Sequence, residues 1–211
     1  LIDYIGAGKF HYKLMFFTGF IFAADSMEVM LLSFLVPILK CVWSLAPPED
    51  GLIESIVFVG QFIGTTLLSS LSDKIGRKKV VLFSNFGCAL AGLLSGFALN
   101  TPLFGLIWIL ICRFFVGFCI GGVAVSYTLF AEYTPSKLRA KLLILQQSFW
   151  SFGAMFSVGL GWITLQYFGW RWYLILSSIP LWMIVMFGKF VPESSRYLIS
   201  VGKMEEAKNI L

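Results

Sequence analysis

The sequence predicts an all-α membrane protein of six transmembrane helices, and three observations lead there. Of its 211 residues, 58% are hydrophobic and 13% charged, with 22 phenylalanines; a soluble surface wants about a quarter or more charged residues. The apolar residues fall in blocks of about 20, the length that crosses a hydrocarbon core about 30 Å thick. Lysine and arginine crowd the ends of those blocks mostly on one side. The net charge of +5 therefore concerns topology, and nucleic acid is excluded as a partner.

Residues 1–13 read as a polar lead-in, with Gly6-Ala7-Gly8-Lys9-Phe10 as a break before the first span. Residues 14–191 hold the spans, and residues 192–211 a polar remainder. Span one runs from about Leu14 to Leu39, too long and too acid-bearing for a cleaved signal peptide. A loop marked by Pro47-Pro48 precedes span two, about Gly51 to Ser72. Span three covers about Val80 to Leu99 and turns at Asn100-Thr101-Pro102. Span four, about Leu103 to Tyr133, is longer than a bilayer needs, so its end projects beyond the membrane. Span five runs from about Leu138 to Tyr167, and Gly169-Trp170-Arg171-Trp172 turns into span six, which reaches about Val191. The segment Lys203 to Leu211 reads as a short amphipathic helix.

Thirteen lysines and arginines lie on the side of the amino terminus, against Lys40 and Arg171 on the other. That bias places both chain ends in the cytosol. Cys41, Cys88, Cys112 and Cys119 show no metal-ligand spacing and read as small buried hydrophobes. His11, between Lys9 and Lys13, reads as a solvated interface residue, and no metal or cofactor is called for.

Ionisable residues inside spans are costly and mark function by default. Asp25, Glu28 and Arg113 qualify. Asp25 lies about 16 Å into span one and Arg113 about 15 Å into span four from the opposite face, so both sit near the midplane. Asp25 and Glu28, three residues apart, share a helical face. Two readings stay open: a proton or cation site in one shared wet crevice, or a static buried ion network.

The turn Ser69-Ser70-Leu71-Ser72-Asp73-Lys74-Ile75-Gly76-Arg77-Lys78-Lys79 joins spans two and three. Gly76 supplies backbone freedom, and Asp73, at a helix end that favours cations, needs a partner. The spacing Asp73, Gly76, Arg77, Lys78 resembles the signature loop of the major facilitator superfamily, with Ser69 in place of its first glycine. Arg113, Gly117 and Gly121 resemble that superfamily's fourth-span motif, with Cys119 at the middle glycine. Glu132, Pro135 and Arg139-Ala140, then Pro192-Glu193-Ser194-Ser195-Arg196, resemble cytosolic stretches of its sugar-porter-like and organic-ion-porter-like members. With Ala24-Asp25-Ser26-Met27-Glu28 and Gly169-Trp170-Arg171-Trp172, the chain looks closest to the synaptic-vesicle-related branch.

The resemblance implies one half of a twelve-helix carrier, lacking a carboxy-terminal six-span half. It implies alternating access for a small organic solute, charged or aromatic, with protons coupled through Arg113. A spacing Arg139, Gln147, Gly153 resembles sugar porters, where the glutamine contacts substrate; Trp150 lies one turn beyond. For Gln147, and for Gln61 in span two, interhelical hydrogen bonding is the competing reading. Asp73, Gly76, Arg77, Glu132, Arg139, Glu193 and Arg196 are the expected cytosolic gate. Plasma membrane and intracellular vesicle both remain as locations. A transport-inactive vesicle protein or receptor of the same fold is the alternative. A membrane enzyme would need a nucleophile–base pair or a ligand cluster, and the sequence offers neither.

Overall fold

The computed structural model describes residues 8–45, 47–99, 101–188 and 191–205. Nine helices occur among them: α1 (Lys9–Trp43), α2 (Pro47–Ile75), α3 (Arg77–Ser95), α4 (Pro102–Ile120), α5 (Val123–Tyr133), α6 (Arg139–Tyr167), α7 (Trp170–Ser177), α8 (Ile179–Phe187) and α9 (Ser195–Ser200). Taken with their length and composition, they supply six candidate membrane spans. Spans one, two, three and five are α1, α2, α3 and α6; α4 with α5 makes span four, and α7 with α8 makes span six. Of the expected helix at Lys203 to Leu211, residues 206–211 lie outside the described residues.

Two expected spans are broken rather than continuous. Span four loosens at Gly121-Gly122 between α4 and α5. Span six is interrupted at Ser178, where Pro180 in the first turn of α8 removes a backbone donor. The first helix also starts earlier than expected, at Lys9.

Small residues set which helices touch. A Cβ on Gly60 or Gly64 of α2 would collide with the backbone of Phe114 or Phe118, and one on Gly117 of α4 with Val57. Span four therefore lies directly on span two, backbone against backbone. Gly153 of α6 meets Ala23 and Ser26 of α1 in the same way, and Ser157 donates to the Met27 carbonyl at 3.3 Å. Advancing each helix by three spans turns the pairing of one with five into the pairing of four with two, so the bundle reads as two related three-helix units.

Between these pairs the core divides by depth. One cluster gathers Leu31, Leu35, Leu39, Ile109 and Leu174; a second, Ile21, Val80, Ala89, Val116 and Ile184; a third, Leu14, Leu129, Phe130 and Leu142. The outward faces stay apolar, with Phe62, Trp162 and Met186 exposed, as a lipid-facing surface requires. The charged residues of the interior sit among the first two clusters, which makes α1 the helix that positions the site.

Candidate functional site

Asp25 is buried on α1, and its Oδ1 has no hydrogen-bond partner among the described residues. It forms part of the wall of a cavity of about 450 Å³ that also holds Gln61 and Thr65 of α2, Tyr127 of α5, and Gln147 and Trp150 of α6. Phe22, one turn before Asp25, lies in the same wall, its ring 6.0 Å from that of Tyr127. Gly121, at the break in span four, also borders this space. One carboxylate, two amides, hydroxyls and aromatic faces thus converge on one concave surface. Such a surface can hold a small polar or aromatic molecule.

Glu28 and Arg113 stand apart from that wall. Arg113 Nη1 donates to Glu28 Oε2 at 2.9 Å, and both side chains are sealed from solvent. Arg113 Nη2 donates to Ser95 Oγ at 2.8 Å, and Ser177 Oγ to Glu28 Oε1 at 3.4 Å. Spans one, three, four and six are tied together by this cluster. The expectation of one crevice shared by Asp25, Glu28 and Arg113 is therefore corrected. Three residues along a helix turn the side chain by about 300°, so Asp25 and Glu28 point about 60° apart. That angle sends Asp25 to the cavity and Glu28 into the bundle.

At the end of the bundle bearing most of the basic residues, a second cluster joins three connections. Gly76, the single residue between α2 and α3, has φ of +102°, a conformation that glycine reaches without strain. A Cβ there would also meet Glu193 Oε2 at 2.6 Å. The Lys78 amide donates to Glu193 Oε1 at 3.0 Å, just past the start of α3. Arg77 pairs with Glu132 and, at 3.7 Å, with Asp73. Ser194 Oγ donates to Glu132 Oε2, the Tyr133 hydroxyl to the Glu193 carbonyl, and Arg196 lies 3.7 Å from Glu132. Glu132 is the hub: it is buried, whereas Asp73 and Arg196 are largely exposed.

The family profile described as "Sugar (and other) transporter" matches residues 13–211. The chain belongs to that family, within the major facilitator superfamily. Among relatives of this chain is "Synaptic vesicle 2-related protein" of Bos taurus, 43% identical over 98% of the chain and 37% of that protein. "Organic cation/carnitine transporter 7" of Arabidopsis thaliana is 35% identical over 98% of the chain and 40% of that protein. The chain thus spans well under half the length of these curated relatives. Its fold matches that of the proton:xylose symporter XylE bound to 6-bromo-6-deoxy-D-glucose, with a TM-score of 0.86 and 22% identity, over 95% of this chain and 49% of that one. Membership places this multi-pass membrane chain in a family of transporters.

Within the bundle, the expected residues divide into three groups. Asp25, Gln61, Gln147 and Trp150 meet at the cavity; Glu28 and Arg113 meet behind it; Asp73, Gly76, Arg77, Glu132, Glu193 and Arg196 meet at the end. Arg139 is a correction: its Nη2 donates to the Thr134 carbonyl at 3.3 Å, and no ion pair of it occurs among the described residues. It opens α6, so its side chain closes the turn behind it. His11 is a second correction, for it is buried, with Nε2 against the Tyr133 carbonyl at 2.9 Å and Nδ1 accepting from the Gly8 amide. Sequence reasoning missed Ser95, Ser177 and Tyr133. Lone hydroxyls in apolar helices have no periodicity to betray them, and only the charge they serve identifies them.

Proposed function

We propose that the whole protein to which this chain belongs is a secondary carrier of a small organic solute, charged or aromatic, working by alternating access. The observation that bears the most weight is the buried carboxylate of Asp25, unpartnered in the cavity wall beside Gln61, Gln147 and Trp150. An ionised carboxylate held away from water is costly unless it is neutralised or paired. A proton or the cationic group of a solute relieves that cost, and relief is a reason to bind. Asp25 is the coupling residue in this reading; Gln61 and Gln147 orient the solute by hydrogen bonds, and Trp150 offers an aromatic face.

Glu28 and Arg113 fix the scaffold behind the cavity and keep the arginine from neutralising Asp25. Asp73, Gly76, Arg77, Glu132, Glu193 and Arg196 form a latch that holds one end shut. Breaking such pairs biases the two states by a few kcal/mol, enough to switch their populations. Both chain ends face the cytosol, in a plasma or vesicle membrane, and a second six-span half completes the cavity.

The test is uptake of labelled carnitine, benzoate and xylose into proteoliposomes containing the full-length protein, with an imposed proton gradient. Saturable uptake of at least one solute, its gradient-driven accumulation lost on D25N, supports the reading. Binding of a solute with no flux under any gradient favours a receptor or vesicle protein of the same fold. The name of the 43% identical relative is what keeps that reading in view.

A further inference from the structure

A second concave surface lies on the other side of α1. Between α1 and α8 runs a groove of about 830 Å³ walled by Phe16, Phe17 and Phe20 on one side and Met183, Ile184 and Phe187 on the other. At about 100° per residue, Lys13, Phe16 and Phe20 project opposite to Phe22 and Asp25. The groove is therefore separate from the Asp25 cavity and faces away from it. Phe16 is 63% exposed, so the groove opens at the surface of the bundle.

Bulk lipid asks only for apolar surface, yet this groove contains a cation. Lys13 belongs to its lining, and Lys9, exposed, lies one turn earlier on the same helical face. Lysine stems follow apolar surface while the ammonium reaches for the interface. Apolar walls with two ammonium groups at the interfacial end match a molecule of the opposite design, with acyl chains below and negative charge above. Basic pockets between transmembrane helices hold anionic headgroups on this principle.

We propose that the groove between spans one and six is a binding site for an acidic phospholipid, its acyl chain on the phenylalanines and its headgroup on Lys9 and Lys13. The inference needs only that the bundle sits in a bilayer, and it is independent of what the carrier moves. Phosphatidylserine is the probe of the acidic class, and phosphatidylcholine the neutral control.

The experiment is native mass spectrometry of the full-length protein, purified with equal amounts of the two lipids. Wild type retains phosphatidylserine in preference to phosphatidylcholine. K9Q/K13Q lowers that preference by about thirtyfold, two lysines each making one ordinary surface contribution. K137Q/K141Q, basic residues of the same chain outside the groove, leaves it unchanged. M183W fills the groove and lowers retention with both lysines in place. Thermal unfolding of each variant, unchanged from wild type, separates lost binding from lost fold. The proposal is overturned by a wild type without preference, by a preference that survives K9Q/K13Q, or by equal losses in both lysine pairs. A preference that survives M183W would reduce the effect to surface charge and overturn it as well.

Discussion

Arg113 and Glu28 are joined at 2.9 Å inside the bundle, while Asp25, one turn before Glu28, faces the cavity without a cation. A buried pair is worth little against an apolar substitute, but removing one partner strands the other charge. That loss costs about 3–5 kcal/mol. E28Q and R113Q should each lower the thermal stability of the full-length protein markedly. The double variant should fall by less than the sum, with a coupling of about 0.5–3 kcal/mol. Additive losses would mean that the two side chains do not act on one another.

The cavity wall makes a separate prediction about binding. Q61A and Q147A each remove one hydrogen bond to a solute, worth about 0.5–1.5 kcal/mol, or roughly two- to tenfold in KM. W150A should weaken aromatic or cationic solutes more than a sugar. None of the three should change thermal stability without solute, since Gln147 is exposed and Gln61 and Trp150 are half-buried. Unchanged KM values in all three variants, for a solute that is transported, would move the site elsewhere.

The latch predicts a ranking. R77Q removes the better buried partner of Glu132, a charge-assisted contact worth about 1.5–3 kcal/mol. R196Q removes an exposed partner 3.7 Å away, worth about 0–1 kcal/mol. R139Q, bonded to a carbonyl, should stay within about 0.5 kcal/mol. The readout is alkylation of a cysteine placed at Tyr197, whose hydroxyl reaches the Lys74 carbonyl at 3.4 Å across the latch. Labelling should rise in the order R139Q, R196Q, R77Q; a reversed order contradicts the hub role of Glu132.

Much of this was legible in the sequence because lipid leaves few choices. Blocks of apolar residues can span only as helices, and buried charges must find partners or a cavity. Within the cavity set, Asp25 is marked by its depth in an apolar span and Gln147 by the resemblance to sugar porters, with Trp150 one turn beyond it and Gln61 a similar amide in span two. The split between Asp25 and Glu28 was not legible, because about 60° of helical rotation decides it and spacing alone leaves the azimuth open. Arg139 was misplaced for a related reason: a charge beside a turn satisfies the nearest carbonyl before any distant acid. The breaks at Gly121-Gly122 and Ser178 were hidden inside continuous apolar runs, where hydropathy does not report geometry.

Helix contact makes the fourth prediction. A Cβ on Gly64 would strike the Phe118 carbonyl, whereas one on Gly159 meets nothing within 4 Å. G64A forces α2 and α4 apart and should destabilise by about 1–3 kcal/mol. G159A should be neutral or slightly stabilising, through its gain in helix propensity. Size-exclusion profile and thermal unfolding of the full-length protein give the comparison, and equal behaviour of the two would contradict the packing described.

The most direct measurement of the central claim is solute uptake by the full-length protein as a function of the imposed proton gradient, in wild type and D25N. Wild type should concentrate its solute when the gradient is imposed. D25N should lose that response yet still exchange labelled for unlabelled solute across the membrane. A D25N protein whose uptake still follows the proton gradient would contradict the assignment of Asp25 as the coupling group.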